Sequence, residues 1–254
     1  MKEVCLTIAG LDPSGGAGII ADIKTFTAFG CFASAAVSSV TFQNTKGVFG
    51  AVHQTAESVR KQVEPVLDDY DVAAVKTGML PTREIIEEVA AIIRTRGLKN
   101  VVVDPVVRST SGFDLIDDTA LAALVKKLFP LADLITPNIP EAERITKIEI
   151  DSEETIEKAA GIMRVLGAKN VLIKGGHLYE KRGKGEEEKG RRKAKDYLFL
   201  GDARHIFEAE FIETTATHGT GCTLAAAITA NLALGNDLIE SVRMAKEFVT
   251  EAIR

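Results

Sequence analysis

The sequence has few cysteines, no excess of positive charge and no long hydrophobic run. Its three cysteines, Cys5, Cys31 and Cys222, are an odd number and lie far apart in the chain. They therefore build neither a disulfide framework nor a CxxC metal or redox motif, and we expect a protein of the reducing cytoplasm. The formal net charge of −5 argues against a general affinity for nucleic acid or anionic lipid.

Membrane-spanning segments and domain linkers are also missing. No stretch approaches the roughly 20 apolar residues that cross a bilayer, and the apolar run at the start is too short for a signal peptide. We find no internal repeat and no linker that forces a domain boundary. The 254 residues, 46% hydrophobic and 26% charged, have a globular balance and predict one domain over residues 1–254, although two small domains fit the length equally well.

Short apolar runs alternate with segments of helical spacing. The runs lack polar alternation, as is typical of strands buried on both faces. Between them, Ile85, Val89, Ile92 and Ile93 recur at the spacing of a helix face. This order predicts a mainly parallel α/β sheet of at least five strands, with helices on both of its faces. The predicted strands are residues 4–9, 72–75, 101–103, 134–135 and 171–173.

The last third of the chain contains a charge-dense segment, residues 180–196, with no apolar periodicity. We predict a mobile loop there, beside the ligand edge of the sheet. Its basic residues 191–193 could contact phosphates, but a solvated loop is the favoured interpretation. The remaining elements are predicted as a hairpin of residues 197–200 and 204–211 and two closing helices, 221–234 and 238–253.

Polar side chains and turn formers directly follow each of the four central runs. They begin at Lys76, Asp104, Thr136 and Lys174. The carboxyl ends of parallel strands meet at one edge, where ligands bind in open sheets. Each group alone is more typical of an ordinary turn or cap, but together they predict a ligand site at this edge.

The glycine-rich segment 10–18 lies between a predicted strand and a predicted helix. Residues 16–21 match the GxGxxG/A dinucleotide pattern, but residues 31–45 contain no Asp or Glu to bind a ribose. No Gly-Lys-Ser/Thr follows, so the segment is not a Walker loop either. It leaves Asp12 and Ser14 for a polar ligand, or Asp12 as a helix cap.

A second glycine loop, residues 217–222, leads directly into a helix rich in small residues. Its two glycines let consecutive N–H groups and the helix dipole face one point, which predicts an anion site. Cys222 falls in the first turn, where we expect the dipole to lower the thiol pKa and make it a base or a nucleophile. The alternative is that Cys222 is a small buried apolar residue.

Asn138 and Glu141 lie three residues apart, directly after a predicted strand. At this spacing the amide and the carboxylate share one face of an opening helical turn, where they could hold Mg²⁺ through water. The pattern is weak alone and gains its value from its position.

In combination, these motifs closely resemble the hydroxymethylpyrimidine/phosphomethylpyrimidine kinases of thiamine biosynthesis, within the ribokinase-like superfamily. The resemblance runs from the first strand to the last helix and implies a ribokinase-like three-layer sandwich. It also implies ATP- and Mg²⁺-dependent phosphorylation of a small-molecule pyrimidine alcohol and then of its monophosphate, by a homodimer. Two departures are the long charged loop after Tyr179 and the large Phe42 before Gln43. The motifs are GLDPSGGAG (10–18), DIKT (22–25), QNT (43–45), KTGM (76–79), DPV (104–106), TPNIPE (136–141), KGGH (174–177) and HGTGC (218–222).

The resemblance also implies roles for individual residues. Cys222 would accept the proton of the attacking hydroxyl. The other roles fall into four groups. They are the anion hole (Gly219, Thr220, Gly221), the pyrimidine site (Gln43, Met79, Gly10, Asp12, Val106), the nucleotide site (Lys174, Asn138, Thr217, Lys246, with Gly219 and Gly221) and the metal site (Glu141, Asp104).

Three other functions compete with this hypothesis. A pyridoxal or pyridoxine kinase, or a dual-specificity relative, would share the fold and the phosphate groups, but Gln43 and Met79 favour the pyrimidine. A cysteine hydrolase would need Cys222 and His218 to meet at a helix start, which their spacing disfavours. A non-catalytic ligand-binding regulator is disfavoured because the phosphate- and metal-facing positions are all filled.

Overall fold

The computed structural model describes residues 2–44, 47–107, 114–175, 193–214 and 217–254. Within these ranges, nine strands form a single sheet. In chain order the strands are β1 (Val4–Leu11), β2 (Phe32–Asn44), β3 (Gly47–His53), β4 (Val72–Thr77), β5 (Val101–Val103), β6 (Leu134–Ile135), β7 (Asn170–Lys174), β8 (Lys193–Leu200) and β9 (Ala203–Glu210).

The centre of the sheet is parallel and its two edges are antiparallel. The strand order is β3-β2-β1-β4-β5-β6-β7-β8-β9. Strands β2, β1 and β4 to β7 run in one direction, while β3 pairs antiparallel on one side and β8 and β9 on the other. The chain leaves β1 towards β2 and later returns to the opposite side of β1 with β4. Such a reversal opens a crevice at the carboxyl ends of the strands.

Helices cover both faces of this sheet, so the predicted three-layer arrangement is confirmed. Val101 and Val103 pack into a core shared with α2 to α6, whereas Val102 packs with α7 and α8. This alternation follows from the two-residue period of a strand, and it explains why all three residues are apolar. The helices are α1 (Gly18–Ala28), α2 (Ala56–Asp69), α3 (Arg83–Arg96), α4 (Asp118–Ala123), α5 (Ile139–Thr146), α6 (Glu153–Val165), α7 (Thr220–Ala233) and α8 (Leu238–Ile253). No helix in these described ranges is both long and apolar enough to cross a membrane.

The helix starts differ in how they are capped. Thr55, Thr82 and Asp237 each accept a backbone N–H of the helix that they precede, which satisfies one of the unpaired donors of a first turn. In contrast, α1 and α7 follow Ala17 and Gly219, which have no side-chain acceptor to cap a helix. Both of these starts lie at the crevice, so their N–H groups face the region where a ligand would bind.

The predicted mobile loop over residues 180–196 is wrong at its C-terminal end. Lys193 to Asp196 already belong to β8 and pair with β9. The Nζ of Lys193 lies 2.6 Å from the Oε2 of Glu208 on the neighbouring strand. This half of β8 is stabilised by cross-strand ion pairs. It therefore lacks the alternation of apolar residues from which a strand is predicted. Residues 180–192, with the basic residues 191 and 192, lie outside the described residues.

Candidate active site

A cavity of about 500 Å³ opens at the carboxyl edge of the parallel strands. Its walls come from the loops after β1, β4, β5 and β6, from the last residue of β7 and from the starts of α1 and α7. All the residues predicted for the site line this one cavity, although their individual roles stay predictions. They are Gly10, Asp12, Gln43, Met79, Asp104, Val106, Asn138, Glu141, Lys174, Thr217, Gly219, Thr220, Gly221, Cys222 and Lys246.

One wall of the cavity contains Met79 and Gly10. Met79 is buried, and a Cβ placed on Gly10 would lie 3.2 Å from its sulfur, so the glycine permits this close packing. Gln43 is half-buried at the end of β2. Its neighbour Phe42 is 53% exposed and is not among the described residues that line the cavity. The large side chain of Phe42 therefore leaves the shape of this wall unchanged.

Asp12 organises the first glycine loop. Its Oδ1 accepts the backbone N–H of Ser14 at 2.8 Å, and its Oδ2 accepts the N–H of Ala17 and the hydroxyl of Ser14, both at 2.9 Å. The Nε2 of His218 lies 2.8 Å from the same Oδ2. Burial raises the pKa of Asp12, but hydrogen bonds from His218, Ser14 and Gln43 outweigh it, so the pKa lies below its ordinary value. Asp12 is thus an ionised carboxylate that holds the glycine loop. The alternative role as a helix cap is wrong, because α1 has no side-chain cap.

The second glycine loop brings a helix start and a lysine together. Gly219 has a φ of +79°, and α7 begins at the next residue. A Cβ placed on Gly221 would lie 3.1 Å from the Nζ of Lys174. That Nζ also lies 3.0 Å from the Oδ1 of Asp104. Burial lowers the pKa of Lys174, but Asp104 and Glu141 raise it by more, so a fixed positive charge stands beside the uncapped N–H groups of α7.

Asn138 and Glu141 form a capping box at the start of α5. The side chain of Asn138 accepts the N–H of Glu141 at 2.9 Å, and the Oε2 of Glu141 accepts the N–H of Asn138 at 2.8 Å. Burial raises the pKa of Glu141 to about 7, against the opposing effect of Lys174. In the part of the chain that the structure describes, no three His, Cys, Asp or Glu side chains converge as a metal cluster.

The expected low pKa of Cys222 is wrong. The thiol is half-buried in the cavity wall, and burial together with Asp104 and Asp22 raises its pKa to about 11. Lys76 and the N–H of Gly18 lower the pKa, but by less. A helix start favours a thiolate only as long as desolvation and nearby carboxylates do not outweigh it.

A buried ion pair lies beneath the thiol, and sequence reasoning assigned it no role. The Nζ of Lys76 lies 2.8 Å from both carboxylate oxygens of Asp22, and the hydroxyl of Thr7 donates to Oδ2 at 2.7 Å. Both charged side chains are fully buried. The available signal was an acid within the apolar helix α1 and a lysine at the end of a buried strand, because each requires a charged partner.

Lys246 lies at the far end of the cavity, against the hairpin β8–β9. Its Nζ is 2.7 Å from the Oδ2 of Asp196, whose Oδ1 accepts the N–H of Gly175 at 3.1 Å. Sequence reasoning missed Asp196 because it placed this residue in the charged loop. Thr217 lies in the second glycine loop. Its backbone carbonyl oxygen accepts hydrogen bonds from the N–H and the hydroxyl of Thr220.

The three-layer fold and this cavity define a class of protein, the ribokinase-like small-molecule kinases. Comparison with known sequences gives the family. The sequence profile of the phosphomethylpyrimidine kinases matches residues 12–254. The chain belongs to this family.

Individual relatives are similar over the whole chain. A hydroxymethylpyrimidine/phosphomethylpyrimidine kinase of Haemophilus influenzae is 44% identical over 254 residues, covering 100% of this chain and 91% of the relative. The crystal structure of a phosphomethylpyrimidine kinase from Clostridium difficile 630 is 42% identical, with a TM-score of 0.84 and 100% of both chains covered. An ADP complex of Bacillus subtilis pyridoxal kinase is 38% identical, with a TM-score of 0.86 and coverage of 100% of this chain and 92% of that one.

Proposed function

We propose that the protein transfers a phosphoryl group from ATP to 4-amino-5-hydroxymethyl-2-methylpyrimidine and then to the monophosphate. The observation that carries this proposal is the meeting, in one cavity, of Met79, Gly10 and Gln43 with the start of α7 and Lys174. Met79, Gly10 and Gln43 could bind a polar heteroaromatic ring, and the start of α7 with Lys174 could bind the transferred phosphate. The family membership supports the same reaction. We place the reaction in the cytoplasm, as expected from the free thiols.

The acceptor would lie with its ring against Met79 and Gly10. A thioether makes favourable contacts with an aromatic ring, and Gly10 adds no side chain beside the sulfur of Met79. Gln43 offers a carbonyl oxygen and an amide N–H₂, which complement an exocyclic amine and a ring nitrogen of an aminopyrimidine. Val106 lines the same cavity.

The hydroxymethyl oxygen would attack the γ-phosphorus while the thiolate form of Cys222 takes its proton, becoming the thiol, and ADP leaves. Phosphoryl transfer depends mainly on positioning and on stabilising charge at the equatorial oxygens. The N–H groups at Gly219 to Gly221 and the ammonium of Lys174 provide this charge complement. In the second step the phosphate oxygen of the monophosphate would attack a second ATP in the same cavity.

Mg²⁺ fits the carboxylates beside Lys174. Protein sites commonly hold this ion through one or two carboxylates, with phosphate oxygens and water as the other ligands. Asp104 lies close enough to Glu141 to raise the pKa of the Glu141 carboxyl group, and both residues line the cavity. When bound, the ion neutralises charge on the phosphates of ATP. Asn138 would position Glu141 through the capping box.

Glu141→Gln is expected to raise the Mg²⁺ concentration needed for half-maximal activity. Glutamine keeps a carbonyl oxygen for the N–H of Asn138 and so preserves the start of α5, but it removes a negative charge that attracts the ion. The measurement is a magnesium titration of the kinase rate at saturating ATP. Glu143→Gln, on the same helix, is the matched control, because Glu143 accepts the N–H of Ile150 instead. An unchanged magnesium curve for Glu141→Gln would remove Glu141 from the metal site.

Gln43→Leu is expected to weaken pyrimidine binding far more than nucleotide binding. Leucine would leave polar groups of a buried ring without partners, which costs roughly 1–3 kcal/mol, or about 5- to 150-fold in affinity. ATP would be bound by other loops of the cavity. Calorimetric titrations with the pyrimidine and with ATP measure the two losses separately. An equal loss of ATP affinity contradicts the assignment of Gln43.

The sharpest test of the proposed function compares acceptors. Pyridoxal kinases are the strongest alternative, because one such structure overlays the whole chain. We expect kcat/KM for hydroxymethylpyrimidine to exceed that for pyridoxal and pyridoxine. A large preference for pyridoxal would transfer the assignment to the pyridoxal kinases.

We also propose a homodimer, with a second copy of this chain on the β2–β3 edge of the sheet. Phe42, Phe49 and Val52 are 53%, 72% and 54% exposed there, and β3 is an edge strand. Exposed apolar side chains on an edge strand and its neighbour are typical of a surface covered in an assembly. We expect sedimentation to give twice the chain mass for the parent protein and the chain mass for Phe49→Asp. A monomeric parent protein would exclude this dimer.

A further inference from the structure

His218 precedes the anion loop, which we define as residues 219–221, and has no role in the reaction described above. Its side chain is 26% exposed and contacts the other glycine loop instead of Cys222. The distance from Nε2 to the Oδ2 of Asp12 is 2.8 Å. Asp12 is ionised and can only accept hydrogen bonds, so Nε2 of His218 carries the hydrogen in this contact.

The imidazole also packs directly on the backbone of the first loop. A Cβ placed on Gly16 would lie 2.7 Å from the Cδ2 of His218. A Cβ on Gly219 would overlap the carbonyl oxygen of Gly16. The two glycine loops are therefore in contact through backbone atoms and through the hydrogen bond between His218 and Asp12. Only this hydrogen bond involves a side chain that lies near the proposed pyrimidine site.

That group is Asp12, which connects His218 to Gln43. Gln43 and Asp12 line the same cavity, and a hydrogen bond from the Gln43 side chain is one of the interactions that lower the pKa of Asp12. Because a carboxylate accepts only, one N–H of the Gln43 amide faces Asp12, which leaves the carbonyl oxygen and the second N–H of Gln43 for a ligand. A ligand that donates to this oxygen fixes the amide, and the amide in turn fixes the carboxylate that holds His218.

We propose that His218 is a positioning residue that couples the presence of the acceptor at Gln43 to the position of the anion loop. The inference rests on the proposed function, since it takes the ligand at Gln43 to be the pyrimidine and the ligand of the anion loop to be nucleotide phosphate. Two sites coupled in this way affect each other's affinity by the same factor, typically 5- to 150-fold. Bound pyrimidine therefore tightens nucleotide binding, and nucleotide tightens pyrimidine binding.

The test measures the dissociation constant of AMP-PCP, an ATP analogue that cannot donate its terminal phosphoryl group, with and without saturating hydroxymethylpyrimidine. We expect at least a five-fold tightening in the parent protein and none in His218→Met. His218→Gln should retain it, because the amide N–H₂ of glutamine can replace Nε2–H as a donor to Asp12. Gly16→Ala should abolish it, since a methyl group there displaces the imidazole without changing its chemistry. Thermal melting of each variant checks the fold.

A residue with only a structural role would change melting temperatures and absolute affinities but would leave the coupling factor intact. Coupling that persists in His218→Met therefore overturns the inference. So does a parent protein that binds both ligands without mutual effect. If the parent protein does not bind hydroxymethylpyrimidine at all, the proposed function itself fails, and this inference fails with it.

Discussion

Cys222→Ser is expected to fold normally and to lose most phosphoryl transfer. The substitution is nearly isosteric, but a serine hydroxyl is a far weaker acid than a thiol, so it supplies no ionised base even in the alkaline range where the thiol of Cys222 begins to ionise. General-base assistance is worth about 10²- to 10⁴-fold, or about 3–5 kcal/mol in the barrier. The loss should appear in both phosphorylation steps if one site performs them. The N–H groups of the anion loop and Lys174 remain, so a residual rate is expected. Single-turnover kinetics with each acceptor measures the loss.

The raised pKa of Cys222 adds a pH dependence to this expectation. With a pKa of about 11, about one thiol in 10⁴ is ionised at pH 7, and this fraction rises tenfold with each pH unit below the pKa. The rate of the parent enzyme should therefore rise with pH above neutrality, and Cys222→Ser should lack this rise. Alkylation by a thiol reagent should accelerate over the same range, and bound pyrimidine should protect the thiol.

Cys31→Ser is the matched control, because this thiol is buried against the carbonyl oxygen of Ala230, outside the cavity walls. We expect it to keep the kinase rate and its pH dependence. If Cys222→Ser retains near-normal turnover, Cys222 is a packing residue. Phosphoryl transfer would then depend on the anion loop and the metal alone.

Gly219→Ala is expected to lower kcat by about 10²- to 10³-fold, the usual effect of losing one preorganised donor to a developing charge. A methyl group at this position would overlap the carbonyl oxygen of Gly16, and the φ of +79° already disfavours any side chain. The anion loop must move, and its N–H groups then no longer converge. Steady-state kinetics together with a thermal melt separates this loss from unfolding.

Gly235→Ala provides the control for backbone strain alone. Gly235 has a φ of +88°, between α7 and α8, and a Cβ placed on it meets nothing within 4 Å. We expect a loss of stability of about 1–2 kcal/mol without an effect on kcat. Equal kinetic effects of the two alanine variants would show that strain, and not the position of the anion loop, limits the reaction.

The central strands were predictable because continuous runs of apolar residues indicate strands that are buried on both faces. Val101 to Val103 are apolar on both faces, and the polar residue Asp104 directly follows the end of the strand. The same logic located much of the cavity, since Asp12 and Asp104 directly follow buried strands and the anion loop opens a helix. Gln43 lies within β2 and Lys246 within α8, so the resemblance alone indicated these two residues. The first half of β8 could not be found in this way, because Lys193 and Lys195 meet Glu208 across the ladder instead of packing in the core.

The chemistry of individual groups was less predictable than their location. The pKa of Cys222 depends on how strongly the cavity walls desolvate the thiol and on the nearby carboxylates Asp104 and Asp22, which are distant in sequence. Its position in a first turn is visible in the sequence, but that desolvation is not. The contact of His218 with Asp12 likewise joins residues 206 positions apart. Such contacts follow from the folded arrangement of loops, which a local pattern does not encode.

The most direct test of the account is ATP turnover that depends on the pyrimidine. Purified protein with ATP and Mg²⁺ should release ADP slowly alone and rapidly after hydroxymethylpyrimidine is added. Mass spectrometry of the products should then show the monophosphate first and the pyrophosphate later. Turnover that does not respond to the pyrimidine, or that responds to pyridoxal alone, would contradict the assignment.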